Sequence, residues 1–197
     1  LCHYCDFTKV LLQGQPVDEY IEALCFELKL YAKRYPPTKP LTSIYIGGGT
    51  PTTLSVQQLN KIWETVLNYY PVSKEVEWTM EVNPDGVSEA QMAAFYAVGG
   101  NRISLGVQTL NECLLKKIGR THSKKEVRTT LQMIQKVGID NISIDLMYGL
   151  PGQTLKMHEE TLAEVFSYPL PHYAVYQLIL EPHTRLFQQV RRHNLKV

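Results

Sequence analysis

Apolar stretches of two different periods take turns along the whole chain, and no other feature narrows the fold so far. Strand-like runs occupy Thr42–Ile46, Glu75–Val82, Arg102–Gln108, Asn141–Met147 and Tyr173–Leu180. Helical spacing fills the intervals: Val17–Arg34, Ser55–Tyr70, Ser88–Val98, Asn111–Ile118, Lys124–Val137 and Leu155–Tyr168. Ser55, Ser88, Asn111 and Ser123 stand where N-caps are needed, and Gly99, Gly119 and Gly138 where helices end. Strand–helix repetition at this spacing predicts βαβ units and a parallel sheet, either open or curled into a barrel. With 197 residues and 44% hydrophobic content, the chain can bury one substantial core, so one domain is expected.

Side-chain parity sharpens this. In Val76–Val82 the residues Val76, Trp78, Met80 and Val82 share one face, and Glu77, Thr79 and Glu81 the other. Ile103, Leu105 and Val107 oppose Arg102, Ser104, Gly106 and Gln108, and Ile142, Ile144 and Leu146 oppose Ser143 and Asp145. A parallel strand covered on both sides is normally apolar on both faces. Three strands that each keep a polar face predict a barrel or half-barrel with helices over the apolar parity and a ligand cavity inside. Glu81, Gln108 and Asp145 fall near the carboxyl ends of their strands, where ligands bind in α/β folds.

Charge narrows the partners. The 20 basic and 19 acidic residues are interspersed and leave a net charge of +1, so nucleic acid and anionic membranes have no electrostatic footprint. No apolar run reaches the length of a membrane span. A cytoplasmic protein, with at most peripheral membrane contact, is the expectation. The chain opens on Leu1 beside a cysteine motif and closes inside a helical-looking stretch from Arg191, which reads as a piece of a longer protein.

Four cysteines are present. Cys25 and Cys113 lie in helical spacing and read as small buried hydrophobes. Cys2 and Cys5 form Cys-His-Tyr-Cys, which alone fits half a zinc site or a redox pair equally well. Ile44-Tyr-Ile-Gly-Gly-Gly-Thr-Pro51 sets three glycines at a strand end, where backbone can approach a ligand without a Cβ in the way. It is no phosphate-binding P-loop, because no Gly-Lys-Ser/Thr follows.

Five segments, in order, resemble the radical S-adenosylmethionine (SAM) family and within it the oxygen-independent coproporphyrinogen III oxidase-like group. They are Cys2-His-Tyr-Cys-Asp-Phe7, Gly47-Gly-Gly-Thr-Pro51, Glu81-Val-Asn-Pro84, Arg102-Ile-Ser-Leu-Gly-Val-Gln108 with Ile118-Gly-Arg-Thr-His122, and Ser143-Ile-Asp-Leu-Met-Tyr-Gly-Leu-Pro-Gly152. The resemblance implies an α/β fold, a partial parallel (β/α)6 barrel without its first strand. Residues 1–197 would then be a radical SAM core domain cut at both ends.

The resemblance also implies roles. Cys2 and Cys5 would be the second and third cysteines of Cys-x-x-x-Cys-x-x-Cys and bind a 4Fe-4S cluster, the first cysteine preceding Leu1. S-adenosylmethionine would chelate the open iron and, once the cluster is reduced, yield a 5′-deoxyadenosyl radical. Gly48, Gly49 and Thr50 would cradle its methionyl end. Glu81 would lie near the ribose, Gln108 and Arg120 would bind polar or carboxylate groups, Asp145 would contact SAM, and Tyr4 and Ile179 would meet the adenine. Read from the residues alone, Arg120 could instead serve the carbonyls of the helix before it, and Ile179 could be core.

Phe7 stands where the porphyrinogen-oxidising branch carries a further cysteine. This resembles the heme-chaperone branch, whose members bind cluster, SAM and heme and deliver heme to an acceptor protein. The alternatives are oxidative decarboxylation of coproporphyrinogen, with an electron donor as partner, and a metal-free barrel enzyme with an incidental cysteine pair. The six histidines share no metal-ligand spacing and read as polar or capping residues in loops and on helix surfaces.

Overall fold

A computed structural model of the chain describes residues 2–8 and 10–192, so His193 lies outside the described residues. Five strands form one sheet: β1 Leu41–Ile46, β2 Val72–Val82, β3 Arg102–Gln108, β4 Asn141–Tyr148 and β5 His172–Gln177. Every neighbouring pair is parallel, and the spatial order is the chain order. Because right-handed crossovers that always step the same way put every connection on one side, the sheet curls with helices outside.

The parity reading matches this layout. Trp78, Met80, Ile103, Leu105, Ile142, Ile144 and Leu146 are almost wholly buried and meet Leu59 and Trp63 of α2 (Val56–Tyr69), Met92 and Phe95 of α3 (Glu89–Ala97) and Val127, Leu131 and Ile134 of α5 (Lys124–Val137). Phe95 sits between Trp63 and Trp78, with ring centroids 5.6 and 6.3 Å away. α1 (Val17–Arg34) rests on α2 through Ile21, Cys25 and Ile62.

A smaller core holds the open end of the half-barrel. Leu114, Leu115 and Ile118, in and just after α4 (Glu112–Lys117), pack with Met147, Leu150, Leu178 and Leu186, the last from α7 (Arg185–Arg191), and Tyr4 leans on them. This core explains why β5 stops at Gln177 rather than Leu180: Leu178 and Leu180 turn into the cluster instead of extending the ladder. α6 (Leu155–Val165) ends before the expected Tyr168 because Pro169 disfavours helix in the residue ahead of it. No helix among the described residues is long and apolar enough to cross a membrane.

The caps form where the sequence sets them. Ser55, Ser88 and Ser123 each close a capping box, and Asn111 accepts from two backbone N–H groups. At Ser123 the hydroxyl accepts from the Glu126 N–H at 3.2 Å, while Glu126 accepts from the Ser123 N–H at 2.7 Å. These bonds hold the Glu126 carboxyl below its ordinary range. Ser123→Ala is expected to cost about 1 kcal/mol, read as a fall of roughly 2–4 °C in melting temperature. A depressed carboxylate stabilises above its unfolded pKa and loses that stabilisation as pH falls, so the gap to the parent should narrow in acid.

Candidate functional site

The polar parity converges on one cavity of about 540 Å³ at the carboxyl ends of the strands. Cys2, Tyr4, Cys5, Gly49, Thr50, Glu81, Gln108, Arg120, Asp145 and Ile179 all line it. Gly48 takes part through its backbone N–H, which donates to Glu81 Oε2 at 3.0 Å. Glu81 and Asp145 thus share the inner side of the sheet with both leading cysteines.

The carboxylates are set by register. Glu81 pairs with Ser104 across β2 and β3, and Gly106 with Asp145 across β3 and β4. Ser104 Oγ donates to Asp145 Oδ2 at 2.7 Å, and Tyr45 Oη donates to Glu81 Oε1 at 2.8 Å. Burial raises the Asp145 pKa above the usual carboxylate range; the Ser104 bond opposes that shift and the Glu81 charge adds to it. Partial burial and the bond to Glu81 push the Tyr45 phenol up to about 12. Gly47 leaves the room this needs, since a Cβ there would lie 2.4 Å from the Glu81 carboxyl carbon.

Arg120 joins the two halves of the site. Its Nη2 donates to Asn83 Oδ1 at 2.8 Å and to the Gly106 carbonyl at 2.6 Å, and its Nη1 reaches Cys2 Sγ at 3.5 Å. Asn83 Nδ2 donates onward to Thr50 Oγ1 at 3.1 Å. The glycine-rich turn, the Asn83 turn and the cysteine loop are therefore tied through one buried guanidinium. The side chain turns inward to this network and not to the carbonyls of α4.

The cysteine loop is anchored by its own backbone. The His3 N–H donates to the Ile118 carbonyl at 2.8 Å, His3 Nδ1 donates to the Lys117 carbonyl at 3.1 Å, and the His3 carbonyl accepts from the Leu186 N–H at 2.8 Å. Gly119 makes the contact feasible: its φ is +75°, and a Cβ there would stand 2.5 Å from the His3 ring. Burial raises the Tyr4 phenol pKa, with the neighbouring Cys2 adding to the shift.

A β-bulge at Val107 breaks the register between Gly106 and Gln108, and Gln108 takes a left-handed φ of 66° at the cavity. Bulges of this kind re-aim side chains beside functional sites. Ile179 is 65% exposed, so it is no core residue. Cys113 is exposed, contrary to the buried role expected of it, whereas Cys25 is buried. His122 is not on a surface either: its Nε2 donates to the Val107 carbonyl at 3.0 Å inside the fold, and burial lowers its pKa.

Among the residues at the site, sequence reasoning leaves unassigned Tyr45, Asn83, Ser104 and Tyr176, the last of which lines the cavity from β5. Ser104 was visible as part of the polar parity and Asn83 inside a quoted motif. Tyr45 had the weak signal of alternating with Ile44 and Ile46, and Tyr176 had none.

Two soft thiols on one anchored loop suit iron–sulfur or zinc chemistry. Among the described residues no group of three His, Cys, Asp or Glu side chains could hold a metal ion, so a cluster on these thiols needs a further ligand.

A family model described as the Radical SAM superfamily matches residues 1–165. The chain is 43% identical over 197 residues to "Heme chaperone HemW" of Lactococcus lactis subsp. lactis (strain IL1403), covering 100% of this chain and 51% of that protein. It is 44% identical to the protein of the same name from Bacillus subtilis (strain 168), covering 99% and 52%. The chain spans about half the length of the curated relatives it matches. Among solved structures, the coproporphyrinogen III oxidase (HemN) of Escherichia coli superposes with a TM-score of 0.88 at 26% identity, over 100% of this chain and 46% of that one.

Proposed function

This chain belongs to the radical SAM superfamily, and from that premise we propose that it is the cluster- and SAM-binding part of a heme chaperone, a protein that binds heme and hands it to an acceptor protein. One observation carries the reading: a single cavity gathers two thiols, a glycine-rich turn and two carboxylates at the carboxyl ends of parallel strands. The radical SAM fold implies a 4Fe-4S cluster and S-adenosylmethionine. Cys2 and Cys5 would each hold an iron of that cluster. When bound and reduced, the cluster supplies the electron for cleaving the S–C5′ bond of SAM.

The chain's own residues do the placing. The turn at Gly48, Gly49 and Thr50 presents backbone to the methionyl end, and Asn83 holds Thr50 in place. Asp145 sets negative charge toward the cationic sulfonium, and Glu81 accepts from the ribose hydroxyls. Gln108 and Arg120 supply donors for its carboxylate, with Tyr4 and Ile179 as apolar walls for its adenine.

Heme binding is supported by the names of the relatives and by Phe7. Coproporphyrinogen oxidation is the second reading, favoured by the superposition on HemN. Anaerobic reconstitution of the full chain, followed by heme titration and a coproporphyrinogen decarboxylation assay, separates the two. Saturable heme binding without carbon dioxide release is the expected result. Release of carbon dioxide from coproporphyrinogen would replace the first reading by the second.

A further inference from the structure

Four neighbouring strands each turn one polar side chain inward, stepped up the sheet: Tyr45 from β1, Glu81 from β2, Ser104 from β3 and Asp145 from β4. Register puts them there. Tyr45 pairs with Thr79, two residues before Glu81; Glu81 pairs with Ser104; Asp145 pairs with Gly106, two residues beyond Ser104. On β1 the alternate residues Ile44 and Ile46 pack against the main core, which leaves Tyr45 on the inner side. The cavity lining takes in Glu81, Ser104 and Asp145 and stops short of Tyr45, so the phenol meets that space through Glu81.

Both oxygens of the Glu81 carboxylate are held. Tyr45 Oη donates to Oε1 at 2.8 Å, and the Gly48 N–H donates to Oε2 at 3.0 Å. Donors on two different oxygens fix the rotation of a carboxyl group whose terminal torsion is otherwise broad. A carboxylate has about four lone-pair sites, so this clamp leaves acceptor capacity toward the cavity. The Tyr45 phenol, pushed up to about 12, stays protonated at neutral pH and remains a donor. Gly48 gives backbone, so among the hydrogen bonds described Tyr45 is the side chain that orients Glu81. Its ring is 59% exposed, so removing the hydroxyl probes the bond and not the packing.

We propose that Tyr45 is a positioning residue for the nucleoside half of SAM, its hydroxyl presetting the Glu81 carboxylate to accept from the ribose diol. The proposal rests on the reading of the cavity as a SAM site and adds which side chain orients the ribose acceptor. A freely turning carboxylate loses its rotation when it pairs with a vicinal diol, whereas a clamped one has lost it before the ligand arrives. The contribution of Tyr45 is therefore confined to ligands that carry the diol.

The test is isothermal titration of the anaerobically reconstituted full chain with SAM, with 5′-deoxyadenosine and with 2′,3′,5′-trideoxyadenosine, which lacks the diol. Tyr45→Phe should weaken SAM and 5′-deoxyadenosine by about 5- to 20-fold and leave the trideoxy nucleoside within about twofold. In a Glu81→Ala background the same substitution should add less than about twofold, because no carboxylate is left to orient.

If the parent binds no SAM saturably, the reading of the cavity fails and this proposal with it. If the parent binds SAM and Tyr45→Phe binds all three ligands as the parent does, the cavity reading stands and the proposal is overturned. Equal weakening of all three ligands, which a misfolded variant would also give, or an undiminished effect beside Glu81→Ala, assigns Tyr45 to the shape of the sheet and overturns it as well.

Discussion

Arg120→Ala is expected to lower the melting temperature by roughly 5–15 °C and to cost the chain its grip on SAM. The side chain is only 8% exposed and is the sole donor to Asn83 Oδ1 among the hydrogen bonds described, besides serving the Gly106 carbonyl. Truncation takes the guanidinium from both acceptors, on the half-buried Asn83 and Gly106, at up to about 1–3 kcal/mol each. It also releases Asn83, and with it the bond that steadies Thr50 in the glycine-rich turn. Arg120→Lys should recover only part of the loss, since one ammonium cannot reach Asn83, Gly106 and Cys2 from a single point. A double-mutant cycle with Asn83→Ala measured by thermal melting checks the coupling. The two losses should overlap strongly instead of adding. Strict additivity, or a fall below about 1 °C for Arg120→Ala, would show that the network is idle.

How much of this was legible beforehand follows from what each signal encodes. Strand parity records which side of a sheet is wet, and it brought Glu81, Gln108 and Asp145 to one side without any coordinates. Caps and glycine stops are local chemistry, so Ser88, Ser123 and Gly138 could be read one at a time. What escaped depends on contacts distant in sequence. Arg120 sits next to a helix end, and only tertiary packing decides that it turns inward to Asn83 rather than to the helix carbonyls. The left-handed backbone at His183 leaves no trace in a sequence where the residue is neither glycine nor asparagine. The end of β5 is hidden for the same reason, because apolar Leu178 and Leu180 fit a strand and a second core equally well.

The cysteine loop borders two cavities, the one at the strand ends and a second of about 440 Å³ toward the segment entering α7. Strand ends furnish Glu81, Ser104, Gln108 and Asp145 to the first cavity, while the second is made by the cysteine loop and the segment entering α7. His3 is the fastener between them, bonded to α4 on one side and α7 on the other.

Asp145→Asn should separate stability from function in opposite directions. Burial holds the Asp145 carboxyl above its ordinary pKa, and the Glu81 charge adds to this, while Ser104, Arg102 and His172 oppose it. The folded chain therefore binds that proton more tightly than the unfolded chain does. A raised carboxylate costs nothing below its unfolded pKa, and the cost grows as pH rises from there toward the folded value. Asparagine removes the charge and still accepts from Ser104 Oγ, and its amide N–H groups sit at the cavity lining. The variant should therefore melt at or above the parent temperature at pH 7.5, with the difference closing as the pH falls into the ordinary carboxylate range. SAM affinity should move the other way. Losing one charged contact of about 1.5–3 kcal/mol weakens binding roughly 10- to 100-fold, measured by isothermal titration. Parent affinity should also decline in acid as Asp145 takes up its proton, and the variant should lose that dependence. A destabilised Asp145→Asn chain that binds SAM as tightly as the parent would mean that the carboxylate serves the sheet and not the ligand.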